Sequence, residues 1–305
     1  MKISIIGVGR VGSTLAYTIL IQGLCAELVL VGRNRDLVEG EAYDLQHAQP
    51  FLSKQMKIRA GSIEDTRGSD IVAITASVRS NPKMTSRMEL SRGNVLLFRE
   101  LIPKIADANP HSILIIVSNP VDVLTYAAIR FSGLPSSHII GTGTLIDSAR
   151  YRSMLSEELS IHPDDLRAYI LGEHGETQFP AMSVAHAGGV KLMNTEKRRH
   201  LFEEAVDAGF KVFRHKGYTN FAVSLATYTI MEAVVYNTFR TMPASTLLCD
   251  YLGVDDVCMS VPVVIGRAGI TRVLRPAFDD QEMAALKKSA AAIRREIDAV
   301  IGGKM

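Results

Sequence analysis

The segment LGEHG at residues 171–175 places one histidine, His174, between glycines in an otherwise hydrophobic context. Earlier in the chain, Asp147 and Arg150 stand three residues apart, which puts them on one face of a helix. An imidazole with a pKa near neutrality can donate or accept a proton, and a carboxylate can hold that ring in one orientation. An arginine fork grips an anionic carboxylate through two parallel hydrogen bonds. These residues predict proton transfer beside a bound anion.

The N-terminal sequence IIGVGRVG has its glycines directly after a predicted strand and at the start of a predicted helix. Gly7 permits a tight turn, Gly9 lets the backbone approach a pyrophosphate, and Gly12 lets the helix pack closely on the strand. Arg10 and Val11 form the helix start, whose free N–H groups favour phosphate. The alternative is a glycine-rich turn that binds nothing. With the proton donor and the anion clamp, a dinucleotide site completes the set that reduction of a 2-oxo acid requires.

The end of the second predicted strand departs from the usual dinucleotide pattern. A site for NAD normally carries Asp or Glu there to bind the ribose hydroxyls. This chain has Gly32, which removes the carboxylate that would repel a 2′-phosphate, followed by the cations of Arg33 and Arg35. We therefore expect the protein to accept NADP, and to prefer it to NAD. In the alternative interpretation, these arginines only line an exposed turn and NAD binds through its other contacts.

The elements that must hold these residues alternate regularly in the first half of the chain. Short apolar runs separate helix-like segments such as Thr14–Gln22 and Val95–Ala108. The runs are continuously apolar, so helices should cover both faces of the sheet that they form. This pattern predicts a doubly wound parallel sheet of the Rossmann type. The predicted strands are Ile3–Ile6, Leu28–Val31, Ile71–Thr75, Ile113–Val117 and Ile139–Ile140.

The second half is less regular and predicts an α+β substrate domain. We divide the chain into a dinucleotide-binding domain, 1–141, and a substrate domain, 142–305. The predicted helices are Glu196–His215, Asn220–Phe239 and Gln281–Val300, and the predicted strands are Leu166–Leu171, Thr246–Leu248 and Met259–Ile265.

The composition narrows the classes of function. A net charge of +2 without any basic run argues against nucleic acid as a partner. Cys25, Cys249 and Cys258 have no metal-ligand spacing and are interpreted as buried thiols of a reducing compartment. The sequence has no room for a signal peptide and no apolar run long enough to span a bilayer. We expect a cytoplasmic protein without a metal site, and the 47% hydrophobic content suggests buried subunit interfaces.

Further motifs follow one another in a family order that covers nearly the whole chain. With them the sequence resembles the lactate/malate dehydrogenase family of L-2-hydroxy acid dehydrogenases. Each motif alone is weak, but the set is specific. Besides the N-terminal glycines, the motifs are Asp44–His47, Ser118–Asp122, Gly141–Arg150, Gly172–Gly175, Lys216–Thr219 and Ser260–Gly266.

The resemblance implies a role for each chemical residue. His174 would be the acid–base group, and Asp147 would bond its other ring nitrogen and favour the protonated ring. Arg150 would bind the substrate carboxylate. Asn119, at the carboxyl end of a predicted strand, would lie near the cofactor and the substrate carbonyl. The family also forms dimers or tetramers, so a homodimer or homotetramer is expected.

The segment Val78–Arg92 resembles the mobile active-site loop of the family. In the family, an arginine of this loop covers the substrate and polarises its carbonyl while water is excluded. Arg87 matches that arginine when the loop is aligned back from Asn94. The loop has about one more residue before Arg87 than the family pattern, and such insertions fall in loops. Arg79 and Arg92 are therefore competing candidates.

The substrate is set in this family by a loop position that corresponds to Ser80. Malate enzymes carry an arginine at this position and lactate enzymes commonly carry glutamine, so Ser80 fits neither, while Arg79 stands one residue away. Thr219 and Val223 resemble the pocket wall of the lactate type, although Val223 could equally be helix core. We predict a monocarboxylic 2-oxo acid, lactate-like or bulkier, with oxaloacetate as the alternative. A protein of another class, one that binds nucleotide without catalysis, is the remaining hypothesis.

Overall fold

The computed structural model describes residues 1–78 and 87–302, without the side chains at positions 87 and 88. The helices in these ranges are α1 (Arg10–Gln22), α2 (Arg35–Ala48), α3 (Arg87–Ala108), α4 (Val121–Ser132), α5 (Leu145–Leu159), α6 (Glu196–Lys216), α7 (Phe221–Tyr236) and α8 (Asp280–Val300). The strands are β1 (Lys2–Ile6), β2 (Glu27–Val31), β3 (Lys57–Gly61), β4 (Ile71–Ile74), β5 (Ile113–Ile116), β6 (Ile139–Gly141), β7 (Leu166–Arg167), β8 (Ile170–Leu171), β9 (Phe179–Pro180), β10 (His186–Ala187), β11 (Val190–Lys191), β12 (Arg240–Leu248), β13 (Val257–Gly266) and β14 (Gly269–Val273).

The predicted doubly wound sheet is confirmed. Six strands pair in parallel in the order β3, β2, β1, β4, β5, β6, and the central ones are buried along almost their whole length. The strand order reverses between β1 and β4, and in such sheets ligands bind at the carboxyl ends of the strands beside this reversal. The glycine motif follows β1, and Asn119 follows β5, so both lie at this edge.

The strands of the second half continue the same sheet instead of forming a large one of their own. β12 joins β6 through the antiparallel pair Ser245 and Gly141, and β13 and β14 follow, which gives a nine-stranded sheet. Of the strands in the described ranges, only those of two residues lie outside it, in small sheets of β11, β10 and β7 and of β8 and β9. The catalytic candidates of the second half are thereby fixed to the edge of the dinucleotide-binding sheet.

Three details of the sequence prediction are wrong. The predicted helix ending at Phe239 stops at Tyr236, because Asn237 takes a left-handed conformation (φ 52°) and a strand begins at Arg240. The predicted strand Leu166–Leu171 is two short strands in different sheets, since β7 pairs with β10 and β8 with β9. Cys249 is exposed, whereas Cys25 and Cys258 are buried as expected.

The core is one large cluster that surrounds the main sheet, with a smaller cluster under α5 and α6. Buried isoleucines, leucines and valines of the parallel strands pack against the apolar faces of the flanking helices. Among the helices of the described ranges, none is both long and apolar enough to cross a membrane.

Candidate active site

His174, Asp147 and Arg150 form a continuous chain of hydrogen bonds. The Nδ1 atom of His174 lies 2.6 Å from Oδ2 of Asp147, and the guanidinium of Arg150 donates to Oδ1 of the same carboxylate at 3.0 Å. Asp147 is buried, whereas a quarter of the His174 side chain is exposed. One carboxylate thus holds the imidazole by one oxygen and the guanidinium by the other, and the Nε2 edge of the ring is left for a ligand.

The charges of this chain stabilise the protonated ring. Burial by itself lowers the pKa of His174, but the charge and hydrogen bond of Asp147 outweigh that effect and raise the pKa above its usual value. Burial raises the pKa of Asp147, yet the positive charges of His174 and Arg150 prevail and hold that pKa below its usual value. The site therefore favours the protonated form of His174, which is the form that a general acid requires.

Two serines connect the histidine loop to the rest of the sheet. The backbone of Ser260 on β13 exchanges two hydrogen bonds with Gly172, and its hydroxyl accepts from the N–H of Thr144 at 2.9 Å, just before α5. Ser289 on α8 accepts from the N–H of Glu173 at 2.6 Å. These contacts fix the loop that bears His174 against the start of the helix that bears Asp147. Neither serine could be given a role from local sequence, because these bonds join residues that are 88 to 116 positions apart.

A third anchor holds His174 itself. The backbone N–H of His174 donates to Oδ2 of Asp122 at 2.7 Å, and Asp122 is buried in the first turn of α4. Asp122 belongs to the motif after β5 that the sequence analysis quoted, but no role was given to it.

Arg150 lies against a glycine of the neighbouring helix. An added Cβ at Gly209 in α6 would lie 3.2 Å from one terminal nitrogen of the Arg150 guanidinium. Gly209 therefore leaves the space that the arginine occupies. The sequence signal for this residue is a glycine inside a helical pattern, which lowers helix stability unless packing requires it.

The glycines after β1 have the geometry of a phosphate cradle. Gly7 has φ 105°, and a Cβ there would meet the backbone of Ala76 at 2.5 Å; a Cβ at Gly12 would meet the carbonyl oxygen of Gly7 at 2.1 Å. Close packing within the protein therefore explains why Gly7 and Gly12 are glycines. At Gly9, by contrast, a Cβ would meet nothing within 4 Å, and no side chain caps the start of α1 there. An open glycine at an uncapped helix start fits a bound pyrophosphate.

The turn after β2 contains the residues predicted to favour a 2′-phosphate. Gly32, Arg33 and Arg35 are all exposed there. The guanidinium of Arg35 already pairs with Glu39 at 2.8 Å, which partly neutralises its charge. Of the two arginines, Arg33 is therefore the better candidate to bind a 2′-phosphate. A Cβ at Gly32 would lie 2.8 Å from the side chain of Val38, so any larger residue must displace that valine.

The remaining predicted residues lie around the same edge, as far as they are described. Asn119 is exposed after β5, and its carbonyl oxygen accepts from the buried side chain of Asn94, whose own oxygen holds the N–H of Val78 at 2.8 Å. Arg87 is the first residue of α3, and its side chain lies outside the described residues, as do Arg79 and Ser80 entirely. Arg92, a competing candidate for the loop arginine, lies within α3.

The segment before α7 connects the two parts of the site. The guanidinium of Arg10 stacks 3.8 Å from the ring centre of Tyr218, and the Lys216 ammonium bonds Asn220, whose amide donates to Thr14 on α1. Thr219 lies in this loop and is half-buried. Val223 lies on α7, partly buried against the main core. The loop before α7 is thus bonded to the first turns of α1.

The described residues contain no cluster of three or more His, Cys, Asp or Glu side chains that could hold a metal ion.

Comparisons with known proteins agree with this geometry. Residues 1–141 match the family model described as the lactate/malate dehydrogenase NAD-binding domain, and residues 144–302 match the alpha/beta C-terminal domain of the same family. An L-lactate dehydrogenase of Gloeobacter violaceus is 40% identical over 98% of this chain and 93% of its own length. One of Acetivibrio thermocellus is 38% identical over 97% and 96%.

Solved structures give the same result. A lactate dehydrogenase enzyme from a Medee basin deep-sea metagenome library superposes with a TM-score of 0.95 at 32% identity, covering 98% of both chains. The minor L-lactate dehydrogenase of Enterococcus mundtii superposes with a TM-score of 0.94 at 30% identity, also over 98% of both chains.

Proposed function

The chain belongs to the lactate/malate dehydrogenase family, and from this premise we propose that it interconverts a monocarboxylic 2-oxo acid and the corresponding L-2-hydroxy acid. The observation that carries the proposal is the 2.6 Å contact between His174 Nδ1 and the buried Asp147 carboxylate, which also binds Arg150. A bound nicotinamide dinucleotide supplies or accepts the hydride. The residues of the chain bind and orient the acid and move the proton.

In the reductive direction, His174 donates its proton from Nε2 to the carbonyl oxygen of the 2-oxo acid. Asp147 keeps the ring in the orientation that makes Nε2 the donor and stabilises the imidazolium before transfer. Arg150 grips the substrate carboxylate with the guanidinium nitrogens that Asp147 leaves free. In the opposite direction, neutral His174 accepts the hydroxyl proton.

The loop between β4 and α3 would complete the site. Arg87, by its match to the family, would polarise the carbonyl, and Asn119 would orient the same carbonyl from the edge of the sheet. Either Ser80 or Arg79 would face the substrate side chain, with Thr219 and Val223 as the other wall of the pocket. A small Ser80 leaves room for a larger apolar group, whereas an inward Arg79 would favour a second carboxylate because a buried guanidinium needs an anion. The relatives named above as L-lactate dehydrogenases favour the monocarboxylic acid over oxaloacetate.

The dinucleotide would lie with its pyrophosphate over Gly9 and the N-terminus of α1, where Gly7, Val11 and Gly12 shape the turn and Arg10 adds positive charge. The match to an NAD-binding domain supports NAD as a cofactor. Gly32 and Arg33 support acceptance of NADP as well, since the usual ribose-binding carboxylate is missing.

Initial rates with both cofactors and four acids test the proposal. We expect pyruvate, 2-oxoisocaproate or phenylpyruvate to be reduced faster than oxaloacetate. Oxaloacetate as the best substrate would contradict the monocarboxylate assignment and indicate an inward Arg79. Tight cofactor binding without turnover of any 2-oxo acid would favour a nucleotide-binding protein without catalysis.

The cofactor preference has its own matched pair of variants. Gly32→Asp adds a carboxylate beside the 2′-position, and Gly32→Ala adds only the atom that crowds Val38. We expect Gly32→Asp to weaken NADPH binding about tenfold or more relative to Gly32→Ala, the effect of a repelling charge close to the phosphate. Equal NADPH affinity in the two variants would contradict the NADP proposal.

A further inference from the structure

Asp122 is a buried carboxylate in contact with the histidine loop. Its Oδ2 accepts the backbone N–H of His174 at 2.7 Å, across 52 residues of sequence. Only 3% of the residue is exposed. Its second oxygen, Oδ1, is buried as well, and the hydroxyl of the neighbouring Ser245 favours the charged carboxylate. The short bond of 2.7 Å is the one to the peptide of His174, the proposed proton donor.

A neutral side chain would anchor this loop with a smaller desolvation penalty than the Asp122 carboxylate. Removing a carboxylate from water is unfavourable unless hydrogen bonds or opposite charge compensate it. Burial raises the pKa of Asp122 to about 6, even though the Ser245 hydroxyl, the His174 peptide and the His174 charge all act in the opposite direction. An amide oxygen could accept the same N–H without this penalty. We therefore look for a role of the Asp122 carboxylate beyond that of a hydrogen-bond acceptor for the loop.

The groups that face Asp122 show which use this is. From the histidine loop, His174 is the cation and Glu173 a second anion; from β13, the Cys258 thiol is buried and stays neutral, because burial raises its pKa well above its usual value. His174 in turn lies between Asp122 and the pair of Asp147 and Arg150 on α5. His174 is thus the positive group between two buried carboxylates.

We propose that Asp122 is a positioning residue for the acid–base step, which fixes the backbone of His174 and adds a second negative charge that favours its protonated ring. Asp147 acts on the ring from Nδ1, and Asp122 acts on the same residue from its peptide side. The inference depends on the proposed function of His174.

Asp122→Asn tests the charge, since the amide keeps the shape and an oxygen for the His174 N–H. We expect the alkaline limb of kcat/KM for 2-oxo acid reduction to move to lower pH by about one unit, because one negative charge that favours the protonated ring is lost. At pH 6 the variant should be within about threefold of the wild type, and at pH 8 about tenfold slower. Asp107→Asn, an exposed aspartate at the end of α3, serves as the control with an unchanged profile.

Asp122→Ala tests the anchor, because it removes the acceptor as well. We expect this variant to lose kcat at every pH, with Asp122→Asn restoring the rate at pH 6 only. If both variants have the same reduced rate and an unshifted alkaline limb, Asp122 is only structural and the proposal is overturned.

A second readout does not use turnover. The ring pKa of His174, measured by NMR on histidine-labelled protein and assigned with His174→Gln, should fall in Asp122→Asn and stay unchanged in Asp107→Asn. An unchanged ring pKa overturns the inference. If the wild type reduces no 2-oxo acid, the proposed function fails, and this titration still decides whether Asp122 acts on His174.

Discussion

At the scale of single residues, the site depends on one carboxylate that serves two cations. Asp147 bonds His174 through Oδ2 and Arg150 through Oδ1, so one carboxylate positions both the proposed proton donor and the proposed anion clamp. An arginine suits this arrangement because its planar fork can keep a bond to Asp147 and still present other donors to a substrate carboxylate. In the proposed function, the orientation of the His174 ring and the binding of the substrate carboxylate by Arg150 therefore both depend on Asp147.

Replacing Asp147 by Asn should separate these effects. The amide oxygen can still accept a bond from His174, but the NH2 group then faces the Arg150 guanidinium and the negative charge is lost. We expect kcat/KM for 2-oxo acid reduction to fall on the order of 10²-fold or more, as when general acid catalysis is impaired. The raised pKa of His174 comes largely from Asp147. Because the protonated ring is the donor, its lowered pKa should move the alkaline limb of the pH profile to lower pH.

The measurement is kcat/KM between pH 5.5 and 9, with the exposed Asp207→Asn on α6 as the control for loss of a distant charge. A variant with wild-type rates at pH 8 would exclude Asp147 from the proton-transfer unit.

The sequence predicted these residues to different degrees, for physical reasons. Asp147 and Arg150 are three apart on one helix, so their pairing follows from local geometry. His174 was identified by its glycines and by resemblance, not by any local contact. The anchors Asp122, Ser260 and Ser289 were missed because their partners are 52 to 116 residues away in the chain.

At the scale of elements, α6 is shaped around the arginine of α5. Gly209 lies inside a 21-residue helix, where glycine costs about 1 kcal/mol relative to alanine. The packing that justifies this cost is the guanidinium of Arg150, 3.2 Å from where a Cβ would lie. α6 is therefore less stable than it would be with alanine at position 209, and the glycine leaves the space that the Arg150 guanidinium occupies.

Gly209→Ala should therefore stabilise the protein and weaken the substrate grip. We expect KM for the 2-oxo acid to rise by about threefold to tenfold as Arg150 shifts by a few tenths of an ångström, while Tm rises by about 2 °C from the better helix former. Steady-state kinetics and thermal unfolding measure both.

Gly40→Ala is the matched control, because Gly40 lies inside α2 and a Cβ there meets nothing within 4 Å. It should raise Tm and leave KM unchanged. The same KM in Gly209→Ala as in wild type would show that the arginine does not need this space.

Among the helices and strands, the positions at which they end were harder to predict than their presence. The buried parallel strands and the glycine that ends α1 (Gly23, φ 60°) follow from local sequence. The end of α7 does not, because Asn237 and the following strand are stabilised by pairing with β13, far along the chain. The small strands of the second half are similarly defined by their partners.

At the scale of the whole molecule, one sheet carries both halves of the chemistry. The predicted α+β character of the second half is correct for its elements, but its longest strands extend the dinucleotide-binding sheet through β6. Periodicity could not reveal this, since a strand pattern does not specify its neighbour. The consequence is that His174, reached through β13, and Gly9, reached through β1, belong to one continuous framework.

The surface of this framework predicts self-association. The packed helices α1 and α7 both expose large apolar side chains, with Tyr17 at 52% and Leu225 at 54% exposure. Apolar surface on neighbouring elements is typical of interfaces between subunits. We expect a mass of at least twice the 33.3 kDa of the chain in light scattering at micromolar concentration.

The double variant Tyr17→Glu with Leu225→Glu should shift the mass towards one subunit, because burying two carboxylates opposes assembly. Leu96→Glu places a charge at a leucine on α3 that is exposed at least as much as Leu225, and it should leave the mass unchanged. A wild type that is monomeric, or a double variant with the wild-type mass, would show that this surface is not the interface.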